Sequence, residues 1–454
     1  MRPFTHSMPT HAHPFALRSL AAAALLAFTL GAGAQAQPAV SPQASAIPPL
    51  VDAMYPRLDA LYKDLHAHPE LAFKETRTAA LLAAEMRAIG FEVTEKVGGT
   101  GVVALYRNGP GPVVMVRTDM DGLPMEEKTG LPYASQARTD WGGRDSFVAH
   151  SCGHDIHMAS WLGTARTLVA LKDQWKGTLM FIGQPAEETV SGAKAMLADG
   201  LFARFPKPDA AFALHTAPTP HGAIGYGIGI SSSNSDALEI VFKGRGGHGS
   251  RPHTTVDPIV IAARFVTDVQ AVVSREKDPA EFGVVTIGAI QGGTAGNIIP
   301  DTVTLRGTIR SYKAEVRDKL LAGVRRMAMA AAATSGAPDP VVKLVPGGEA
   351  LVNDEAAVTR AAAALKQALG AAQVVQSTVP STGSEDFSAF INAGVPSMYF
   401  TVGVLDARDI AASAQPGGKP LARNHSPFFA PVPEPSIKTG VHAMTVAVLS
   451  ALGR

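Results

Sequence analysis

The chain has 454 residues, 46% of them hydrophobic and 17% charged, a globular composition with length for two domains or for one large domain and an insert. Its 40 basic and 39 acidic residues leave a formal net charge of +1 with no recurring basic stripe, which argues against nucleic-acid or anionic-membrane partners. The single cysteine, Cys152, excludes an intrachain disulfide.

Arg18, the apolar run 19–30 and the small-residue site Ala34-Gln35-Ala36 have the order of a secretory signal peptide over 1–36, with translation starting at Met1 or Met8. A Pro-rich linker is expected over 37–50. The mature protein is then exported, periplasmic or secreted, with no membrane attachment after cleavage. Apolar spacing predicts helices over 58–65 and 78–89, then strands over 101–106 and 113–117. A helix over 156–171 precedes strand 178–183, which runs into Gln184-Pro185-Ala186-Glu187-Glu188. Strand 209–214 runs into His215. Alternating helices and apolar strands predict an α/β fold with a sheet covered by helices, and functional residues of such sheets gather beyond the carboxyl ends of the strands.

Over residues 236–345 the order becomes β-α-β-β-α-β, that of a ferredoxin-like unit. Helices and short strands resume from 355 to the C-terminus. A compact unit, 231–346, inserted between catalytic segments 51–230 and 347–454 accounts for this pattern. Two domains in series would leave the last segment without a sheet to join.

The chemistry centres on Cys152-Gly153-His154-Asp155-Ile156-His157. A lone cysteine near one histidine is ordinarily a packing residue. Two histidines and an aspartate within the same short segment favour a metal site, because thiolate and imidazole are good ligands and a carboxylate can orient an imidazole. Adjacent Glu187 and Glu188 would be solvated surface in isolation. At the carboxyl edge of a sheet, one can bind metal while its neighbour takes a proton from water. His215 lies in the same layer; His425, in a Gly/Pro-rich loop, means little alone.

Together the motifs resemble the M20 metallopeptidases, and within them the amidohydrolase branch of hippurate, auxin-conjugate and N-acyl-amino-acid hydrolases. The landmarks run in order through His66-Ala67-His68-Pro69-Glu70-Leu71, Arg117-Thr118-Asp119-Met120-Asp121-Gly122 and the Cys152 segment, then Glu187-Glu188 and Gly246-Gly247-His248. Asn297-Ile298-Ile299-Pro300-Asp301, Gly307-Thr308-Ile309-Arg310, Gly383-Ser384-Glu385-Asp386-Phe387 and Asn424-His425 complete the series. The resemblance implies a zinc-exopeptidase-like catalytic domain and two divalent ions (zinc, manganese, cobalt or nickel) held by Cys152, His154, Glu188, His215 and His425. It implies Glu187 as general base and acid, and Asp119 as the residue orienting a ligand. Arg117 stands where many M20 peptidases carry a metal-binding histidine, a departure that matches the amidohydrolase branch. His248 is expected to reach an active site across a homodimer interface, and Asn297 and Arg310 to hold a substrate carboxylate. For Arg310 a strand-edge salt bridge is the competing expectation. His66 and His68 are expected to make scaffold hydrogen bonds, and His157 to support the site without binding metal. The implied substrate is an N-acyl-amino acid. A dipeptidase or metallo-carboxypeptidase with the same metal centre is the rival enzyme, and a non-catalytic solute-binding protein the rival outside catalysis.

Overall fold

The structure, a computed structural model, describes residues 42–453; the expected signal peptide lies outside them. The main elements begin with helices α1 (Pro42–Ala67) and α2 (Thr76–Ala88) and strands β1 (Glu92–Val97), β2 (Gly101–Asn108) and β3 (Val113–Asp119). Helix α3 (His154–Ala170) leads to β4 (Gly177–Gln184), β5 (Ala210–Pro220) and β6 (Ile224–Tyr226). Then come β7 (Asp236–Lys243), α4 (Pro258–Asp268), β8 (Gly283–Gln291), β9 (Thr302–Ser311), α5 (Ala314–Thr334) and β10 (Val341–Pro346). The chain closes with α6 (Glu355–Leu369), β11 (Val374–Gln376), β12 (Ser397–Leu405) and α7 (Pro433–Leu449).

Eight strands form the main sheet in the order β1-β2-β4-β3-β5-β12-β6-β11. Its centre, β4-β3-β5-β12, is parallel, so these strands share one carboxyl edge. Alternate residues feed two cores. Val102, Val116, Phe181 and Phe212 face the helical layer of α1, α3 and α7, while Val103, Met115, Met180 and Ala211 pack on the other side. Burial on both faces explains why these strands read as continuous apolar runs.

The expected linker 37–50 is helical from Pro42 onward, where α1 carries Pro48, Pro49 and Pro56 within it. Interior prolines cost about 3 kcal/mol each. The compensation is the stripe Ile47, Val51, Leu58, Tyr62 and Leu65, all essentially inaccessible, at roughly 1.5–3 kcal/mol per large apolar side chain. Packing therefore overrides the local breaker signal.

Strands β7 to β10 form a separate antiparallel sheet, β8-β9-β7-β10, with its own core of Ile240, Phe242, Phe265, Leu305, Leu320 and Val324 under α4 and α5. This is the predicted βαββαβ insert. The chain enters and leaves it side by side, with Ser235 N donating to Gly348 O at 2.9 Å. A Cβ on neighbouring Gly347 would meet Ser235 O at 2.3 Å, so the two crossings can approach this closely only with glycine there. Asn234 bonds Ser311 through both backbone and side chain, and Arg317 grips Asp236 with two bonds of 2.6 and 2.7 Å.

Candidate metal centre

Parallel register brings the chemistry into one layer. Asp119 is level with Gln184, and His215 is level with Thr401. Helix α3 begins at His154, and the preceding Gly153 is left-handed (φ 88°) with its Cα against Thr216, whose Oγ1 a Cβ would meet at 2.7 Å. Glycine at this position is thus needed both for the turn and for the approach of the Cys152 loop to β5. Asn424 Nδ2 donates to Cys152 O and to Thr216 Oγ1, both at 3.0 Å, and His425 N donates to Ser151 O at 2.7 Å. These bonds carry the C-terminal loop to the cysteine.

Hydrogen bonds select which imidazole nitrogen remains free. His154 Nδ1 faces the carbonyl of Asp121 at 2.7 Å and His215 Nδ1 that of Thr216 at 2.8 Å, so each ring donates there and turns a bare Nε2 inward. His154 Nε2 is buried, makes no hydrogen bond, and lies 3.7–3.8 Å from Asp119, Glu187 and Glu188. His215 Nε2 is 3.4 Å from Cys152 Sγ. His157 differs, because its Nε2 accepts from Thr216 N at 2.8 Å and its Nδ1 pairs with Asp119 Oδ1 at 2.7 Å. With both nitrogens hydrogen-bonded it braces Asp119.

The loop bearing the paired glutamates is clamped from below. The Asp121 carboxylate accepts from Glu187 N and Glu188 N, each at 3.0 Å, and buried Glu75 accepts from Ala186 N at 2.8 Å. Ala186 itself is left-handed (φ 53°), a strained conformation for a residue with a Cβ, held by these bonds. Neither Asp121 nor Glu75 was singled out by sequence, although Asp121 stands in the quoted Arg117–Gly122 motif.

Behind the glutamates lies a fully buried ion network. Arg117 donates to Gln184 Oε1 (2.9 Å), Asp119 Oδ2 (2.7 Å), Glu385 Oε1 (2.8 Å) and Asp386 Oδ1 (3.2 Å). Asp119 thus has one hydrogen bond on each oxygen, to Arg117 and to His157, and its carboxylate also lies within 4.8 Å of ring nitrogens of His154 and His157.

Atoms of Cys152, His154 and His215 lie within 4.8 Å of one another, and so do those of Cys152, Glu188 and His425. The five expected ligands thus form two triads that meet at the cysteine sulfur. Two buried atoms with no hydrogen bond, His154 Nε2 and Glu188 Oε1, point into this space. Burial pushes the Cys152 thiol well up, and Glu188, Glu187 and Asp119 push it further. Burial also raises Glu188, to about 7, and raises Glu187 strongly, with Glu385, Glu188 and Asp386 adding to the latter. Burial alone would push His154 down, yet Asp119, Asp121 and Glu188 hold it up at about 10. The three acid shifts come first from burial and then from neighbouring acids, and the upward shift of His154 comes from those acids; divalent cations would relieve the crowding. A mixed S/N/O donor set of this kind fits such ions.

A cavity of about 980 Å³ opens over these residues, lined on the insert side by Phe282, Val284 and Arg310. Arg310 is half-buried and bonds only the carbonyl of Thr382, at 3.3 Å; no acidic side chain among the described residues pairs with it, so the salt-bridge alternative does not hold. His248 and Asn297 sit elsewhere. They are exposed beside the short pairing of His248 with Ile298, where Gly249 N donates to Asn297 O at 2.8 Å, and do not line this cavity. His66 is buried between Asp155 and Glu127, whereas His68 is exposed.

A profile of peptidase family M20/M25/M40 matches residues 115–448. The hippurate hydrolase of Campylobacter jejuni is 37% identical over 330 residues, covering 72% of this chain and 82% of its own. Thermostable carboxypeptidase 2 of Saccharolobus solfataricus is 36% identical over 351 residues, 76% of this chain and 85% of its own. The crystal structure of a dinuclear metal-binding M20 peptidase from Bacillus subtilis matches with a TM-score of 0.69 at 30% identity, covering 88% of this chain and 98% of that one.

Proposed function

The chain belongs to peptidase family M20/M25/M40 and is a metal-dependent hydrolase of its amidohydrolase type, and we propose that it is exported and cleaves N-acyl-amino acids into a carboxylic acid and an amino acid. The observation that carries this reading is the pair of ligand triads meeting at Cys152 with Glu187 beside them in one cavity.

Divalent ions held by Cys152, His154, Glu188, His215 and His425 would supply Lewis acidity that activates water and polarises the amide carbonyl. Glu187, on its clamped loop, takes the proton of the attacking water and passes it to the departing nitrogen. The raised proton affinity of its carboxyl suits a group that must both accept and release. Asp119 keeps His157 in place, while the carbonyls of Asp121 and Thr216 orient His154 and His215. Arg310, without an acidic partner, offers a fork to the substrate carboxylate. His248, outside the lining of this chain's own cavity, is proposed to serve the oxyanion in a second copy of a homodimer.

A dipeptidase or carboxypeptidase reading is kept in view by the carboxypeptidase named among the relatives. A hydrolysis screen over N-acyl-amino acids and dipeptides, with zinc, manganese, cobalt and nickel, separates the two. Activity is expected on acylated substrates, lost with chelator and restored by metal. A metal-replete protein that binds N-acyl-amino acids without turnover would refute catalysis and leave the solute-binding alternative. N-terminal sequencing of the mature protein tests export, with cleavage expected after Ala36.

A further inference from the structure

Glu385 is a buried carboxylate that the reaction above leaves unused. It is 2% exposed and lines the same cavity as Glu187. One oxygen, Oε1, accepts from Arg117 Nη2 at 2.8 Å and from Phe387 N at 3.0 Å. The other, Oε2, is buried without a hydrogen bond, a costly state for an acceptor unless a ligand fills it. Its neighbour Asp386 has no such spare capacity, since Arg117 and Gln184 occupy Oδ1 and Ala193 N occupies Oδ2.

Carboxylate oxygens of Glu187 and Glu385 approach within 4.8 Å. A nitrogen at hydrogen-bond distance from both, about 2.8 Å, would see them at an angle of at most roughly 120°, compatible with the donor directions of an amide or amine nitrogen. Glu187 must touch that nitrogen in order to protonate it. A nitrogen placed between the two carboxylates can meet both.

We propose that Glu385 is a further catalytic residue, whose free oxygen accepts the N–H of the scissile amide and holds the leaving nitrogen while Glu187 protonates it. This role rests on the amide-cleaving function proposed above. Water oxygen bonds to the carbonyl carbon as one of its protons passes to Glu187, Glu187 delivers that proton to the nitrogen lone pair, and the C–N bond then breaks with its electron pair passing to nitrogen, which leaves as a neutral amine. Glu385 gains and loses no proton. Its interaction strengthens on the way to C–N cleavage, because the N–H becomes a better donor once Glu187 has protonated the nitrogen of the tetrahedral intermediate and that nitrogen carries positive charge. Arg117, bonded to the opposite oxygen, fixes the orientation.

The test compares two substrates that differ at one atom, N-benzoylglycine and its ester analogue O-benzoylglycolate, in which oxygen replaces the N–H. In Glu385→Gln, kcat/KM for the amide should fall at least about tenfold further than for the ester, the scale of one hydrogen bond to a charged group. Calorimetry supplies a readout independent of turnover: wild type should prefer glycine over glycolate by a larger factor than Glu385→Gln does. Metal content should match wild type. Equal losses on amide and ester, no loss on either, or loss of metal would each overturn the role and leave Glu385 as a counter-charge for Arg117. Failure of the metal-replete wild type on both substrates and throughout the wider screen would overturn the function itself, and this role with it.

Discussion

Arg117→Met should expose how much the main unit depends on one guanidinium. The side chain is fully buried and donates to four acceptors on four residues, three of them carboxylates. Burial acts against its charge, and Glu385, Asp119 and Asp386 hold the charge in place. Methionine fills much of the volume but returns no donor, so acids from β3 and from the 385–386 segment are left together without compensation. Removing one partner of a buried ionic group costs about 3–5 kcal/mol, and that is the loss expected here. The deficit should also depend on pH. Asp386 is already pushed up to about 7 by burial, with Arg117 opposing. Without Arg117 the folded variant binds more protons than its unfolded chain, so its stability falls as pH rises and the deficit widens from pH 5 to pH 8. Urea unfolding in chelator, followed by the fluorescence of Trp161 and Trp175 in the main core, measures it. A deficit below about 1 kcal/mol at pH 7.5, or one that grows on acidification, would refute the network as a structural keystone.

Glu187→Gln should lower turnover about 10²- to 10⁴-fold while elemental analysis finds nearly wild-type metal content; an unchanged rate would remove it as the proton carrier. Cys152→Ser should weaken metal binding about tenfold or more as well as slow turnover, and wild-type occupancy should fall in acid because the thiol must shed its proton. A fully metallated but inactive serine variant would reopen nucleophilic catalysis. At His66, burial alone would lower the pKa, but the bonds to Asp155 and Glu127 hold it up at about 10. A folded pKa above the unfolded one stabilises fully below about pH 6.5 and is lost as pH rises toward 10, so the stability gap between wild type and His66→Gln should close across that window. A gap that is flat from pH 6 to 10 would contradict the charged bridge.

The fold was legible where periodicity and burial agree. Strand β3 was anticipated over 113–117 and runs to Asp119, because Val, Met and Val alternate between two apolar cores. The clustering of Cys152, His154 and Glu188 was legible because Cys152 and His154 lie two residues apart and Glu187-Glu188 follows an obvious strand, whereas His425 joined them only through the family resemblance. The helical run through Pro48 and Pro49 was not, since its stability comes from a core assembled by distant elements. Nor was the partnership of Arg117 with Glu385, which are 268 positions apart. The Glu385-Asp386 motif was visible as a landmark, but nothing local distinguishes the oxygen that is bonded from the one that is spare. His248 shows the opposite limit: its motif is conspicuous, yet in one copy of the chain it stands outside the cavity.

The adjoining crossings at Ser235 and Gly348 have a consequence for construction. Because the insert is attached by two backbones already in hydrogen-bond contact, it behaves as a cassette whose ends meet at a single seam. A short turn could join 235 to 348 and leave all eight strands of the main sheet in the remaining chain. The same seam would accept a different cassette of unrelated length, so the wall that faces the expected metal ligands can be exchanged in evolution, or at the bench, without redrawing the sheet that holds them.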